Sequence, residues 1–413
     1  MSAREVAVVG AGIVGTAVAR ELAVRGVGVL LLDAGEVSGG TTGLGEGNVL
    51  CSDKDAGPEL ALSVRGLELY SELEERLGGE ARIRRKGALI VHPDEVTWAA
   101  EPERLERLRA AGVESRRVGV QKVRELEPEL TGPLCGASLF PADLQCAPRA
   151  IARALAREAA AAGAEVRTGA RVAAITTSPG RTNPPAATNP PAATTSPGRT
   201  SPPAATTSPG GTVTGVVLAS GERVAAGAVV VAAGPWSAPL AASAGLALPL
   251  EPRKGQLVRL RAPAGPPAVR HKVVDGSYLA SVRSAATGLE VTTVVETTWD
   301  GDVLVGSSRE RRGFDTSVDP AVTAAMVARA ARLFPRVAGL AHDAAWAGLR
   351  PWLPDHLPAI GPSAAAPGLW VATGHEGAGV ALGPVTGRLV AQAYCGESPL
   401  LGLGPFDPDR FAG

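Results

Sequence analysis

The stretch from Val6 to Asp33 constrains this chain more than any other. An apolar run, Val6-Ala-Val-Val9, leads into Gly10-Ala-Gly12-Ile-Val-Gly15 and a helical pattern through Leu22. Gly26 closes that helix, and a second apolar run, Val29-Leu-Leu-Leu32, ends in Asp33. The order predicts strand, glycine turn, helix and strand, with an acid at the tip of the second strand. That is a dinucleotide-binding βαβ unit. Gly10 allows the tight turn, Gly12 lets a pyrophosphate approach the backbone, and Gly15 lets helix and strand pack closely. The helix N-terminus then faces the phosphates, and Asp33 is placed to accept hydrogen bonds from a ribose 2′-hydroxyl. With 51 glycines among 413 residues the spacing alone would carry little. The flanking strands and helix carry the weight.

A chain of 413 residues exceeds one compact core, which implies two or three domains. Forty-one basic residues balance 41 acidic ones, so composition points away from nucleic acid or an anionic membrane as partner. No apolar run is long enough for a transmembrane helix. Cys51, Cys135, Cys146 and Cys395 show no ligand spacing and read as reduced thiols of a cytoplasmic protein.

Beyond the first unit, residues 38–48 hold too many glycines for a regular element and read as a loop moulded around a ligand. Helical patterns cover 58–77, 149–163 and 319–334, with strands at 88–91, 165–167, 172–175 and 229–233. Residues 250–310 alternate as strands do. Residues 176–211 contain a repeated Thr-Thr-Ser-Pro-Gly-Arg-Thr motif and no Leu, Ile, Val or aromatic residue. They read as a disordered, polyproline-leaning insert at the tip of a hairpin whose arms are 170–175 and 212–218, with a proline-motif docking site as the alternative. Near the C-terminus, Leu369-Trp-Val-Ala-Thr-Gly374-His375-Glu-Gly377-Ala-Gly379 leads into a last helix from Val380 to Tyr394. This repeats the opening logic of strand, glycine turn and helix N-terminus.

Several motifs together resemble the D-amino-acid-oxidase-like flavoproteins, in the glycine oxidase, sarcosine oxidase β and D-amino-acid dehydrogenase branch. They are the first glycine motif, the loop at 39–48, Ala232-Ala-Gly234-Pro-Trp-Ser237, Gly348-Leu-Arg350-Pro and Gly374-His375-Glu-Gly-Ala-Gly379. The resemblance implies an α/β fold in which a Rossmann-like FAD-binding domain (1–81, 146–240 and 346–413) is interleaved with an α+β substrate domain built on a mixed sheet (82–145 and 241–345). It implies FAD, held non-covalently, since no cysteine lies beside Gly348–Pro358. Carried over by residue, Gly10, Gly12, Ile13, Val14 and Gly15 hold the pyrophosphate, and Asp33 and Ala34 the adenosine ribose. Thr41, Thr42, Gly47 and Asn48 line the phosphates and flavin, Val172 lies at the adenine, and Gly234 closes the pocket. Gly348, Gly374, His375, Gly377, Gly379 and Val380 border the flavin ring.

The resemblance further implies that Arg350 binds the substrate carboxylate, a task suited to its planar fork. Tyr278 would lie over the substrate from a strand, and His375 would shape the flavin-side turn or transfer a proton. Relatives that bind glycine can carry a second arginine inside the Gly-His motif, where this chain has Gly377. The implied activity is oxidation of the C–N bond of a small amino acid or secondary amine carboxylate: a D-amino acid, D-hydroxyproline, glycine or a sarcosine-like compound. Two alternatives stay open. One is a flavin subunit that passes electrons to a partner subunit and is inactive alone. The other is a nicotinamide-dependent dehydrogenase.

Overall fold

The computed structural model describes residues 5–178, 211–265 and 268–412. The opening prediction holds: the strand Val6–Val9, the helix Ile13–Ala23 and the strand Val29–Leu32 follow in order, and the two strands pair in parallel. They sit in a six-stranded sheet whose order is Ala359–Pro362, Leu369–Thr373, Ala228–Val231, Val6–Val9, Val29–Leu32 and Glu165–Arg167. All neighbours are parallel except the first pair, which is antiparallel.

Every residue of Val6–Val9 is buried, because both faces of this sheet are covered. Val6 and Val8 face the helices Ile13–Ala23, Pro58–Leu77, Pro148–Ala161 and Gly379–Tyr394. Ala7 and Val9 face a second core, formed with the hairpin Val172–Thr177/Val213–Leu218 and the short helix Ser237–Ala242. The chain departs to opposite sides of Val6–Val9, through Val29–Leu32 on one flank and Ala228–Val231 on the other. Ligands of such sheets bind in the crevice at that switch point, beyond the carboxyl ends of the strands.

A second sheet of eight strands is mixed. Its order is Ala341–Trp352, Glu251–Arg261, Val303–Arg309, Glu290–Thr297, Lys272–Asp275, Ala88–His92, Gly136–Phe140 and Arg116–Gly119. Only Lys272–Asp275 and Ala88–His92 run parallel. The helix Pro320–Leu333 packs on one face through Met326, Ala330 and Leu333. The strand Ala341–Trp352 runs through the expected boundary at 345/346, so residues 346–352 continue this larger sheet.

Three local expectations change. Thr41–Leu44 forms one helical turn inside the glycine-rich loop, because four residues suffice for a turn while glycines bend the chain on either side. Tyr278 lies on the short helix Ser277–Val282 rather than in a strand. The turn starts where Asp275 accepts the Ser277 N–H at 2.8 Å, a local capping bond that competes with continued sheet pairing. Thr176 and Thr177 belong to the hairpin strand, paired with Gly215 and Val213, as β-branched residues favour. The rest of the expected insert, 179–210, lies outside the described residues.

The first and last helices approach closely. A Cβ on Gly387 would lie 2.5 Å from the Ala17 carbonyl carbon, and one on Gly383 would lie 3.2 Å from Ile13. Helix propensity favours Gly387→Ala by about 1 kcal/mol. Overpacking at this contact opposes it by about 1–3 kcal/mol. A lowered melting temperature is therefore expected for Gly387→Ala in thermal denaturation. A raised one would show that the helices do not meet so closely.

Candidate active site

A cavity of about 1090 Å³ opens at the switch point and runs from the first glycine turn to the larger sheet. Pockets for drug-sized ligands occupy roughly 300–1,000 Å³, so there is room for an extended ligand. Gly10, Gly12, Ile13, Val14, Asp33, Ala34, Thr41, Thr42, Gly47, Asn48, Val172 and Gly234 line it. So do Tyr278, Gly348, Arg350, His375, Gly377, Gly379 and Val380. Gly15 and Gly374 do not reach its surface. A Cβ at Gly15 would stand 1.8 Å from the Gly10 carbonyl oxygen, and one at Gly374 (φ +82°) 2.2 Å from Leu353. They shape the two turns from behind.

At the first turn Gly10 takes φ +108°, and a Cβ there would meet the Ala232 carbonyl oxygen at 2.4 Å. This contact joins the two strand ends at the switch point. Gly12 caps the helix Ile13–Ala23 without a side chain, leaving its N-terminus open toward the cavity. Thr42 Oγ1 accepts the Ile13 N–H at 3.0 Å, tying the loop's helical turn to the first helix. Asp33 accepts the N–H of Ala11 at 2.6 Å and of Gly35 at 2.7 Å, which fixes its carboxylate at the strand tip. Thr41 Oγ1 donates to the Leu349 carbonyl at 2.8 Å, and Thr373 Oγ1 to the Gly234 carbonyl at 3.1 Å. Asn48 donates to Glu46 and Glu296, both at 2.9 Å, while its buried Oδ1 has no partner.

The far end is rich in charge. Arg350 reaches over Gly255, where a Cβ would collide with its guanidinium at 2.1 Å. It donates to the Ser308 carbonyl at 3.1 Å. Burial, then the neighbouring Arg309 guanidinium, push its pKa down to about 10, so it stays a cation at neutral pH. Among the described residues no carboxylate lies within ion-pair distance of it. Tyr278 is buried, with the Arg309 guanidinium 4.6 Å from its ring centre. His375 is buried with Nε2 2.9 Å from Thr386 Oγ1, and burial pushes its pKa down to about 3. Its imidazole is neutral and engaged.

Sequence reasoning missed four charged groups on this wall. Glu46 pairs with Lys272 at 3.4 Å. Burial disfavours both charges, but their mutual attraction prevails, lowering the Glu46 pKa and raising that of Lys272. Glu376 pairs with Arg253 at 2.5 Å and His356 at 3.2 Å. Burial would raise its pKa, yet these partners pull it down to about 2. The fourth is Arg309. It ends the strand Val303–Arg309, which is buried throughout, and no local sequence pattern marks it.

These features fit a flavin dinucleotide. A glycine cradle without Cβ atoms, an open helix N-terminus and a fixed acid lie at one end, and a second helix N-terminus, at Gly379, lies at the other. The comparisons with known proteins agree. The family model described as DAO, FAD dependent oxidoreductase, matches residues 5–393. The chain belongs to this family. FAD is therefore its cofactor, and the nicotinamide reading falls.

This flavoenzyme is similar to glycine oxidase from Geobacillus kaustophilus, with 29% identity over 99% of this chain and 97% of the relative. The crystal structure of that protein superposes with a TM-score of 0.81 at 27% identity, covering 99% of each chain. Glycine oxidase from Pseudomonas putida is 28% identical over 98% of both chains. A third, from Pseudomonas aeruginosa, is 34% identical over 194 residues, about half of either chain. No helix among the described residues is long and apolar enough to cross a membrane.

Gly12→Val tests the cradle. A Cβ at Gly12 would already stand 3.1 Å from Thr42 Oγ1, and valine would fill the approach to the helix N-terminus. Purified Gly12→Val should be colourless, with far-UV circular dichroism unchanged. A yellow protein with normal flavin stoichiometry would place the pyrophosphate elsewhere.

Proposed function

We propose that this flavoenzyme oxidises the C–N bond of a small amino acid or secondary amine carboxylate to an imine, which water hydrolyses. The observation that carries the reading is Arg350: a guanidinium facing the cavity, held by the Ser308 carbonyl and met by no carboxylate among the described residues. Burying a cation without a counter-charge is costly, and a substrate carboxylate supplies one bidentately. The relatives named glycine oxidase act within the same substrate class, which supports it.

Each assigned residue then has a task. Gly10, Gly12, Ile13, Val14, Asp33, Ala34, Thr41, Thr42, Gly47, Asn48, Val172 and Gly234 hold FAD, with Gly15 shaping their turn. The cofactor, when bound, supplies the electron acceptor. Gly348, His375, Gly377, Gly379 and Val380 border its ring, with Gly374 shaping the turn. Arg350 orients the substrate, a contribution of position rather than proton transfer. Its side chain passes beside Gly377, where a Cβ would lie 3.7 Å away, so the bound carboxylate sits next to that turn. Tyr278 closes the substrate end. His375 is left to shape the turn, because its Nε2 is engaged by Thr386 and burial keeps it neutral. Attachment of FAD is non-covalent in this account. In support, none of the four cysteines lines the cavity.

Anaerobic flavin reduction in wild type, Arg350→Lys and Arg350→Ala tests the central role. Loss of a charge-assisted hydrogen bond of about 1.5–3 kcal/mol predicts a roughly ten- to hundred-fold rise in apparent Kd for Arg350→Ala. Lysine should recover part of the loss, lacking the fork. All three should remain yellow. Unchanged concentration dependence in Arg350→Ala would exclude the carboxylate role, and loss of FAD would make Arg350 a structural residue.

A further inference from the structure

Arg309 is a cavity-lining charge that the proposed reaction does not use. It is 4% exposed and lines the same cavity as Arg350. One of its amino groups donates to Ser281 Oγ at 2.7 Å, and its buried Nε has no hydrogen-bond partner. Among the described residues no carboxylate comes within ion-pair distance of it. The acids nearby bond elsewhere: Glu46 to Lys272, and both oxygens of Glu376 to Arg253 and His356, with Arg309 acting on Glu376 only through its charge.

The two guanidiniums are neighbours held by different contacts. Arg350 lies over Gly255 and beside Gly377. Arg309 stacks on Tyr278 and is anchored to the helix Ser277–Val282 through Ser281. Bringing two like charges together in a partly buried space is unfavourable unless an anion compensates. An unpartnered, buried charged N–H adds to that cost. A carboxylate held bidentately by Arg350 leaves the Arg309 charge without one of its own.

We infer that Arg309 is a second anion-binding residue of the substrate pocket, and that the preferred substrate is a dicarboxylic amino or imino acid whose second acidic group it takes. This rests on the proposed carboxylate role of Arg350. Tyr278 supports Arg309 from beneath through its ring face, which makes it a positioning residue for the second subsite.

Carboxylates with no oxidisable amine separate this claim from catalysis. The FAD-loaded enzyme is titrated with acetate and with malonate or succinate, and binding is read from the flavin absorbance. In wild type one of the dicarboxylates should bind at least about tenfold more tightly than acetate, the gain from one further charge-assisted bond. Arg309→Met should bring the dicarboxylate down to the acetate level and leave acetate within about twofold. Arg309→Lys should retain part of the preference.

Equal affinities for acetate and both dicarboxylates in wild type would overturn the second subsite, whatever the variants do. So would a parallel loss of both ligand types in Arg309→Met, which would mean that the two arginines grip one carboxylate. Binding of no carboxylate at all would remove the role of Arg350, and the second subsite with it. Tight acetate binding without dicarboxylate preference would leave the role of Arg350 standing alone.

Discussion

The close crossing of the first and last helices sets the rest of this structure in place. Gly383 and Gly387 bring the backbone of Gly379–Tyr394 onto Ile13 and Ala17, where added Cβ atoms would lie 3.2 Å and 2.5 Å from the first helix. The two helices belong to the two ends of the sequence, yet their parent strands share one sheet, with only Ala228–Val231 between them. Packing them together points both N-termini at the crevice where the strand order switches. Two partial positive charges then border one cavity. In the proposed arrangement one faces the pyrophosphate of FAD and the other its ring.

Electrostatics divides the cavity into a settled part and an unsettled part. Around the rim, charges are matched in pairs: Glu46 with Lys272, Glu376 with Arg253, and Lys54 with Asp53 and Glu59. Glu46, Lys272 and Glu376 keep their charges despite burial because partners offset the lost hydration. Among the described residues, Arg350 and Arg309 have no carboxylate within ion-pair distance. A protein interior retains an unmatched cation at a cost, and such charges in a cleft point to a ligand. The account of substrate recognition grows from that imbalance.

Much of this was legible in the sequence, for identifiable reasons. Local patterns report local structure. The run Val6–Val9, the spaced glycines and the capped helix are contiguous, so their order alone predicts strand, turn and helix. The same holds for Leu369–Tyr394. Arg350 was reachable because Gly348-Leu-Arg350-Pro is a compact motif. What stayed hidden depends on tertiary contacts. Glu46 and Lys272 lie 226 residues apart and meet only through the fold. Arg309 follows two serines in a strand and has no local pattern that marks it as facing the same cavity as Arg350. Tyr278 reads as a strand residue because the resemblance implies one there and residues 250–310 alternate as strands do, whereas the structure ends the strand at Asp275. The turn that ends it is set by a single Asp275 hydrogen bond.

The central claim is that one cavity holds FAD and presents an amino-acid carboxylate to it. Anaerobic bleaching of the wild-type protein tests it most directly, with glycine, sarcosine, D-alanine, D-proline, D-aspartate and iminodiacetate added in turn at fixed concentration. The account predicts loss of the flavin band near ~450 nm with amino acids that carry a free carboxylate, and none with the corresponding amines lacking it. Equal bleaching by amines and amino acids, or no bleaching by any member of the series, would contradict it.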